Sequence, residues 1–253
     1  AMRIINKTII YISLMTLGFG QSYPPPTSLI TMPTAGSLTR GSYSFGMRIQ
    51  DEGGMISTLE AGITDRFQFG LSFGSPNLIG DDSLKWYPRP EALLKYHLID
   101  ESMTMPGFAL GVNTQGLGDF VDSLNRYETK AYGVFLVGSK NWKTPFGNLG
   151  FHTGINYSFT ETKDDDDVNY FFGWDMEINP EFSLMMEYNP ALNENTMTAK
   201  KMSIQKGGYV NAAIRWTFAE RLHLEFNFNN LLFDEDKVEY FKRELKITYI
   251  EYF

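Results

Sequence analysis

The stretch R-E-L-K-I-T-Y-I-E-Y-F, from Arg243 to Phe253, decides how the rest of the chain is read. Leu245, Ile247 and Tyr249 fall on one face of an extended chain, and Glu244, Lys246 and Thr248 on the other. Period-2 alternation of this kind marks a strand with an apolar medium on one side and a polar one on the other. A final strand left unpaired would present a row of free N–H and C=O groups, an edge that proteins cover or pair. Closing the sheet, with the last strand against the first, removes the edge. The expected fold class is therefore all-β, a closed antiparallel transmembrane β-barrel. Glu251 breaks the alternation on the apolar face, which a position at the membrane–water boundary would accommodate.

Working back from that strand, the same pattern recurs about twelve times. Strands are expected near 41–50, 55–63, 66–74, 91–99, 107–115, 130–140, 147–160, 169–178, 181–189, 208–218, 221–231 and at the terminus. The clearest sets Leu149, Phe151, Ile155, Tyr157 and Phe159 against Asn148, Gly150, His152, Gly154, Asn156 and Ser158. The segment near 130–140 alternates poorly. Short connections, such as Thr64-Asp65-Arg66 and Asn179-Pro180-Glu181, follow the even strands. Longer links, about 75–90, 116–129, 161–168, 190–207 and 233–241, mostly follow the odd ones. Short turns at one end and long loops at the other are the signature of an outer-membrane barrel with periplasmic termini. A soluble β-sandwich, burying the aromatic face between two sheets, is the competing fold.

Composition agrees with a one-face-apolar strand pattern. Aromatic residues make up 15% of the 253-residue chain while hydrophobic residues make up only 43%, a balance suited to barrel strands rather than membrane helices. The absence of cysteine excludes disulfides, thiol chemistry, a cysteine zinc site and a lipoprotein anchor. A net charge of −8 argues against a nucleic-acid partner. At the start, Arg3 and Lys7 precede an apolar run from Thr8 to Phe19, and Gly18 and Gly20 are small residues spaced for cleavage before Gln21. Residues 1–20 read as a signal peptide, with an N-terminal anchor as the alternative. Residues 21–40, rich in Pro, Ser, Thr and Gly, read as a leader, either periplasmic or folded into the barrel mouth. Residues 41–253 are the expected outer-membrane barrel.

The polar face then lines a lumen. Its charged members include Arg48 and Glu187, and a set of nine, Glu60, Lys95, His97, His152, Asp175, Glu177, Arg215, His223 and Glu225, mostly toward the periplasmic end. Unpaired charge in a narrow interior is costly, so these are expected to form a hydrogen-bonded cluster narrowing that half. The alternative is a set of wet, independent side chains. All three histidines face inward, away from lipid and low in the barrel. This separates the chain from outer-membrane lipases and from rim-sited Asp–His proteases. His223 and Glu225 could serve as a base and its orienting partner, and an ordinary lumen salt bridge explains them equally. The acidic runs Asp164–Asp167 and Asp234–Asp236 read as solvated loop tips, or as groups bridged through divalent ions to lipopolysaccharide. Neither has the spacing of a calcium loop, and no metal or cofactor is expected.

Two resemblances add to this reading. The last strand, with Tyr249 and the terminal Phe253, resembles the assembly signal of bacterial outer-membrane barrels, which implies the barrel-assembly machinery as a partner. Met32-Pro33-Thr34-Ala35-Gly36, the stretch from Ala92 to Val112, and Val137-Gly138-Ser139-Lys140 with Phe146-Gly147-Asn148 resemble segments of YjbH/GfcD-type outer-membrane proteins. The similarity spans roughly residues 30 to 160 and implies a role in exopolysaccharide production. It carries no catalytic residue across. The functional expectation is a non-enzymatic channel or assembly component for a polysaccharide or another polar solute. A plugged barrel that binds a partner through its loops is the alternative, and an outer-membrane hydrolase is a third possibility.

Overall fold

The structure is a computed structural model that describes residues 26–80, 83–145, 147–163, 165–195, 207–232 and 242–252. The expected signal segment, Phe253, Asp164 and the run Asp234–Asp236 lie outside the described residues. Along the chain run β1 (Tyr43–Ile49), β2 (Met55–Gly62), β3 (Phe67–Ser75), β4 (Glu91–Ile99), β5 (Gly107–Asn113), β6 (Leu117–Val121) and β7 (Arg126–Thr129). These are followed by β8 (Gly133–Thr144), β9 (Gly147–Tyr157), β10 (Asn169–Glu177), β11 (Phe182–Asn189), β12 (Tyr209–Phe218), β13 (Leu222–Asn229) and β14 (Lys242–Glu251). Twelve of them close an antiparallel barrel in chain order, and β6 and β7 form a separate hairpin.

Closure runs through the last strand, β14. β14 pairs with β1 from Tyr43↔Glu251 to Ile49↔Leu245, and with β13 from Leu222↔Tyr249 to Asn229↔Lys242. Glu251 sits at the short-turn rim, where Arg221 meets its carboxylate at 2.7 Å and the Tyr249 hydroxyl donates to it. The charge is thus neutralised at the strand end. The outer surface is apolar: Phe45, Leu71, Phe151, Ile155 and Phe226 all point away from the centre and stay exposed. Aromatics gather at both ends of this band. Phe182 stacks on Trp216 near the short turns, and Phe73 stacks on Trp86 near the long loops.

Two expectations need correction. The link at 116–129 is not plain loop, because it holds the β6–β7 hairpin, which folds over the barrel mouth. Tyr87 and Tyr127 meet edge-on at 5.1 Å, Phe120 packs on Tyr127 in the same way, and Ile56 completes this small core. Nor does the strand expected near 130–140 stop there. The strand continues to Thr144, and Asn141 is an inward strand residue held by Glu101 at 2.6 and 2.8 Å.

The interior is also less polar than a water-filled lumen requires. Phe135, Val137, Phe171, Met185, Ala109 and Ala213 face inward and are buried against Leu29, Ile30, Met32 and Ala35. Residues 26–40 lie inside the barrel. Their tip is a tight turn in which Leu29 N donates to Met32 O at 3.0 Å and Ser28 bridges to Pro33. Burying each of Leu29, Ile30 and Met32 contributes about 2 kcal/mol. The barrel wall makes room for them: at Gly173 an added Cβ would lie 2.6 Å from Leu29 Cδ1 and 2.7 Å from Met32 Sδ. β8 alternates poorly because both its faces meet apolar surroundings, the outer one the exterior band and the inner one this plug.

Closure makes a covalent prediction. With Phe45→Cys and Tyr249→Cys, residues paired across β1 and β14, a short thiol cross-linker should join the two positions within one folded chain. Gel migration of the cross-linked, heat-denatured protein reads this. Failure to cross-link in a folded sample would mean an open sheet.

Candidate functional site: a plugged lumen and its lid

The plug is held by side chains whose charge is spent on its backbone. Glu187, on β11 and buried, takes the N–H groups of Ile30, Thr31 and Met32 at 3.0–3.2 Å. The Thr31 hydroxyl donates to the same carboxylate at 2.5 Å, and the Asn211 amide donates at 2.8 Å. Three successive N–H groups converging on one carboxylate make an anion cradle out of a four-residue turn. Opposite charges hold the plug's carbonyls. Lys95 donates to Thr27 O at 2.6 Å and Gly36 O at 2.8 Å, Arg48 to Ile30 O at 2.5 Å, and Arg215 to Ser28 O at 3.2 Å. Gln68 accepts from Leu38 N at 2.9 Å.

The nine lumen residues singled out in the sequence therefore fall into several groups rather than one cluster. Glu60 accepts from Gln68 at 2.5 Å, beside Lys95. Glu225 pairs with Arg215 at 2.9 Å and with Lys246 at 3.3 Å. Glu177 accepts from Asn148 at 2.5 Å. His97 joins the plug to the rim, with Nδ1 at 2.8 Å from Ala35 O and Nε2 at 3.2 Å from Asp100. His223 meets the Thr217 hydroxyl at 2.9 Å and not Glu225, so the suggested base–orienter pair is not formed. Three of the nine, Lys95, His97 and Arg215, hydrogen-bond the inserted segment directly.

His152 stands in the most chemically suggestive setting. Its Nε2 lies 2.7 Å from Asp175 Oδ1, and its Nδ1 lies 2.7 Å from Ser139 Oγ. A serine, a histidine and an aspartate in a chain have the connectivity of a hydrolytic triad. The surroundings point elsewhere. Ala35 N donates to Ser139 Oγ at 2.8 Å, so the oxygen lies along that N–H and in the peptide plane. Attack on the Thr34 carbonyl would need the oxygen above the carbonyl carbon. His152 is fully buried, and Ser139 and Asp175 nearly so. The trio orients the Ser139 oxygen as an acceptor for the plug. Ser139 and Glu187 stand outside the nine expected cluster residues for different reasons. Ser139 is neutral, and it faces His152 only through the β8–β9 register. In the sequence Glu187 is one inward acid among several, because its partner is backbone.

A second constriction lies at the long-loop end. Arg126, buried in the β6–β7 lid, donates to Glu194 at 2.7 Å, and Lys130 N donates to the other Glu194 oxygen at 3.1 Å. Glu161 takes Tyr127 N at 2.8 Å and Ala131 N at 2.7 Å. Tyr87 donates to Gly118 O at 2.9 Å. Burial pushes the Glu161 carboxyl up to about 7, and Glu194 adds to the rise. The Tyr127 and Ala131 N–H groups and the Arg126 charge oppose it. The folded lid thus holds the proton more tightly than an unfolded carboxyl, whose ordinary value is 4.5.

Asp165, Asp166 and Asp167 bring carboxylate oxygens within 4.8 Å of one another. Asp165 is already engaged, accepting from Asp167 N and Asn195 N, and the other two are exposed tip residues. No helix among the described residues is long and apolar enough to cross a membrane.

No family model matches the chain, and no curated protein does. Among solved structures it is similar to one titled as the NanC porin in a rhombohedral crystal form, with a TM-score of 0.41 and 9% identity, over 84% of this chain and 98% of that one.

Two outcomes are expected from this geometry. Glu187→Ala strands the buried N–H groups of Ile30 and Met32 and the part-buried one of Thr31, and should weaken plug docking by about 3 kcal/mol. Hydrogen exchange of residues 26–40 should accelerate while the barrel strands stay protected; unchanged exchange would contradict the role given to Glu187. For the lid, a raised carboxyl value contributes stability that is complete below about pH 4.5 and lost as the pH rises through about 7. Exchange of residues 117–132 should therefore be slower at pH 5 than at pH 8 after correction for intrinsic rates, and Glu161→Gln should remove the difference. Equal protection at both values in the unmodified protein would refute it.

Proposed function

We propose that this chain is an outer-membrane β-barrel of the channel type whose pore is closed by its own residues 26–40. The closed sheet with an apolar exterior and aromatic ends supports membrane placement. Strands of about 10 residues, rising about 3.3 Å each and tilted about 40°, cover the roughly 25 Å apolar band of such a membrane. On this reading the short-turn end and the plug's entry face the periplasm, and the lid and acidic loops face outward. Lipid and lipopolysaccharide are its surroundings, and Tyr249, exposed on the outer face of β14, belongs to the segment offered to the barrel-assembly machinery.

The observation that carries the channel reading is the division of the lumen. A chamber of about 200 Å³ lies on the lid side and a cavity of about 130 Å³ on the short-turn side, and both are lined by Thr27, Ser28 and Lys246. Two spaces on either side of the inserted segment are what a gated pathway needs. The solute is proposed to be polar, with an exopolysaccharide favoured by the resemblance of the plug's Met32–Gly36 segment and of the β4–β5 and β8–β9 hairpins. The lid core around Tyr127 favours a second reading, a plugged barrel that meets a partner through its ordered outer loops.

Planar-bilayer recordings decide between them. The full chain should show little conductance, and a chain lacking residues 26–40 should open steady channels. A deleted variant that is folded and still silent would leave only the partner-binding barrel.

A further inference from the structure

We propose that the inner wall of the barrel is a receptor for an extended, uncharged polypeptide segment, and that residues 26–40 are its built-in occupant. The inference rests on the reading of that segment as a plug that leaves the lumen, and it adds a peptide to the ligands the lumen takes. It starts from which atoms of the plug the wall touches.

From Thr27 to Leu38 the wall reads backbone. Lys95 and Arg215 take the carbonyls of Thr27 and Ser28, and Glu187 takes the N–H groups of Ile30, Thr31 and Met32. Arg48 takes the Ile30 carbonyl. Ala35 gives its N–H to Ser139 and its carbonyl to His97 Nδ1. Gly36 gives its carbonyl to Lys95, and Leu38 its N–H to Gln68. These are groups that every residue except proline carries in full. Among the described residues, polar side chains of this stretch meet the wall only at two places. Ser28 Oγ lies 3.4 Å from Lys246 Nζ, and the Thr31 hydroxyl reaches Glu187 and Tyr132. The Thr34 hydroxyl turns back on the Pro26 carbonyl within the plug itself.

Side-chain identity enters mainly at the tip. Leu29, Ile30 and Met32 are fully buried against Phe135, Phe171 and Met185, and Gly173 leaves the room that Leu29 and Met32 fill. Main-chain hydrogen bonds that supply affinity, with a side-chain pocket that supplies selectivity, are how proteins take up extended peptides from other chains. Charge sets the remaining requirement. No residue from Pro26 to Thr39 is charged, and the wall's Glu187, Lys95, Arg48 and Arg215 are met by peptide dipoles. A charged tip would be buried among Phe135, Phe171 and Met185 with no partner, which excludes it.

The test uses the full chain in detergent, carrying Leu29→Asp and Met32→Asp so that the plug is expelled while every wall residue stays. Heat-modifiable gel migration checks that the barrel is folded. Fluorescence anisotropy then follows a labelled synthetic peptide with the sequence of residues 26–39. It should bind. A second peptide that keeps residues 29–33 and carries alanine at every other position should bind within about tenfold of the first, since it keeps the backbone and the tip. Ester linkages in place of the amides at Ile30 N and Met32 N remove two N–H groups and keep the side chains. They should weaken binding about a hundredfold, about tenfold for each hydrogen bond to the carboxylate.

Should the double variant fail to fold, the unmodified chain serves. There the tethered plug competes at an effective concentration of about millimolar. The alanine-substituted peptide, at about ten times that concentration, should accelerate hydrogen exchange of residues 26–40. No binding of the plug peptide to the folded variant, no acceleration in the unmodified chain where that is the measurement, a loss of more than about tenfold with the alanine-substituted peptide, or indifference to the ester linkages would overturn the proposal. Conductance is a separate reading. A folded chain lacking residues 26–40 that conducts but takes no peptide keeps the channel and ends the receptor, and one that takes peptide without conducting does the reverse.

Discussion

An ionised carboxylate inside a protein must find donors, because leaving it unpaired costs several kcal/mol. Glu187 faces the interior of the barrel, and its donors come from three successive backbone N–H groups of a turn near the start of the described chain. The turn has the complementary need, since its N–H groups, removed from water, require an acceptor. Each satisfies the other, and the exchange fixes residues 29–32 in the middle of the lumen. The remaining lumen contacts extend it: Lys95, Arg48 and Arg215 take the plug's carbonyls, and Ser139 takes the Ala35 N–H. A barrel of this size with a fully polar wall would hold water. This one holds peptide, with an apolar patch around Phe135 and Phe171 to match Leu29, Ile30 and Met32.

The same bookkeeping of donors explains the mouth. The β6–β7 hairpin folds back because Arg126 and the N–H groups of Tyr127, Lys130 and Ala131 meet Glu194 and Glu161. Plug and lid are thus built alike, with acidic side chains binding backbone that would otherwise sit dry and unpaired. The plug works from the short-turn end and the lid from the other. Between them lies a chamber lined by amides and charged side chains together, among them Asn113, Asn211, Arg48 and Glu244.

The strands were legible because their outer face meets one medium along its whole length. Phe151 and Ile155, or Phe226 and its neighbours, announce an apolar exterior without any knowledge of partners. The terminal stretch announced closure, and the register of β14 with β1 realises it. The interior was legible only in part. Period and polarity identify which residues face inward, but not what they face. Lys95, His97 and Arg215 read as a charge cluster because charge is what a sequence displays, whereas their partners are carbonyls that every residue carries. The composition of residues 21–40 allowed a segment in the barrel mouth, and the poor alternation of β8 was a second sign of the plug: Phe135 and Val137 are apolar where a wet lumen would want polar groups. Ser139 and His152 needed the strand register before they could be seen as neighbours.

The central claim is that residues 26–40 occupy the lumen, with Ala35 against Ser139 at 2.8 Å between backbone nitrogen and hydroxyl oxygen. Replacing both by cysteine, in membranes and under mild oxidation, tests it most directly. The account predicts a disulfide within a single chain, formed in the folded barrel and lost on reduction. A folded barrel in which Cys-substituted position 35 is freely labelled from the aqueous phase and never joins position 139 would contradict it.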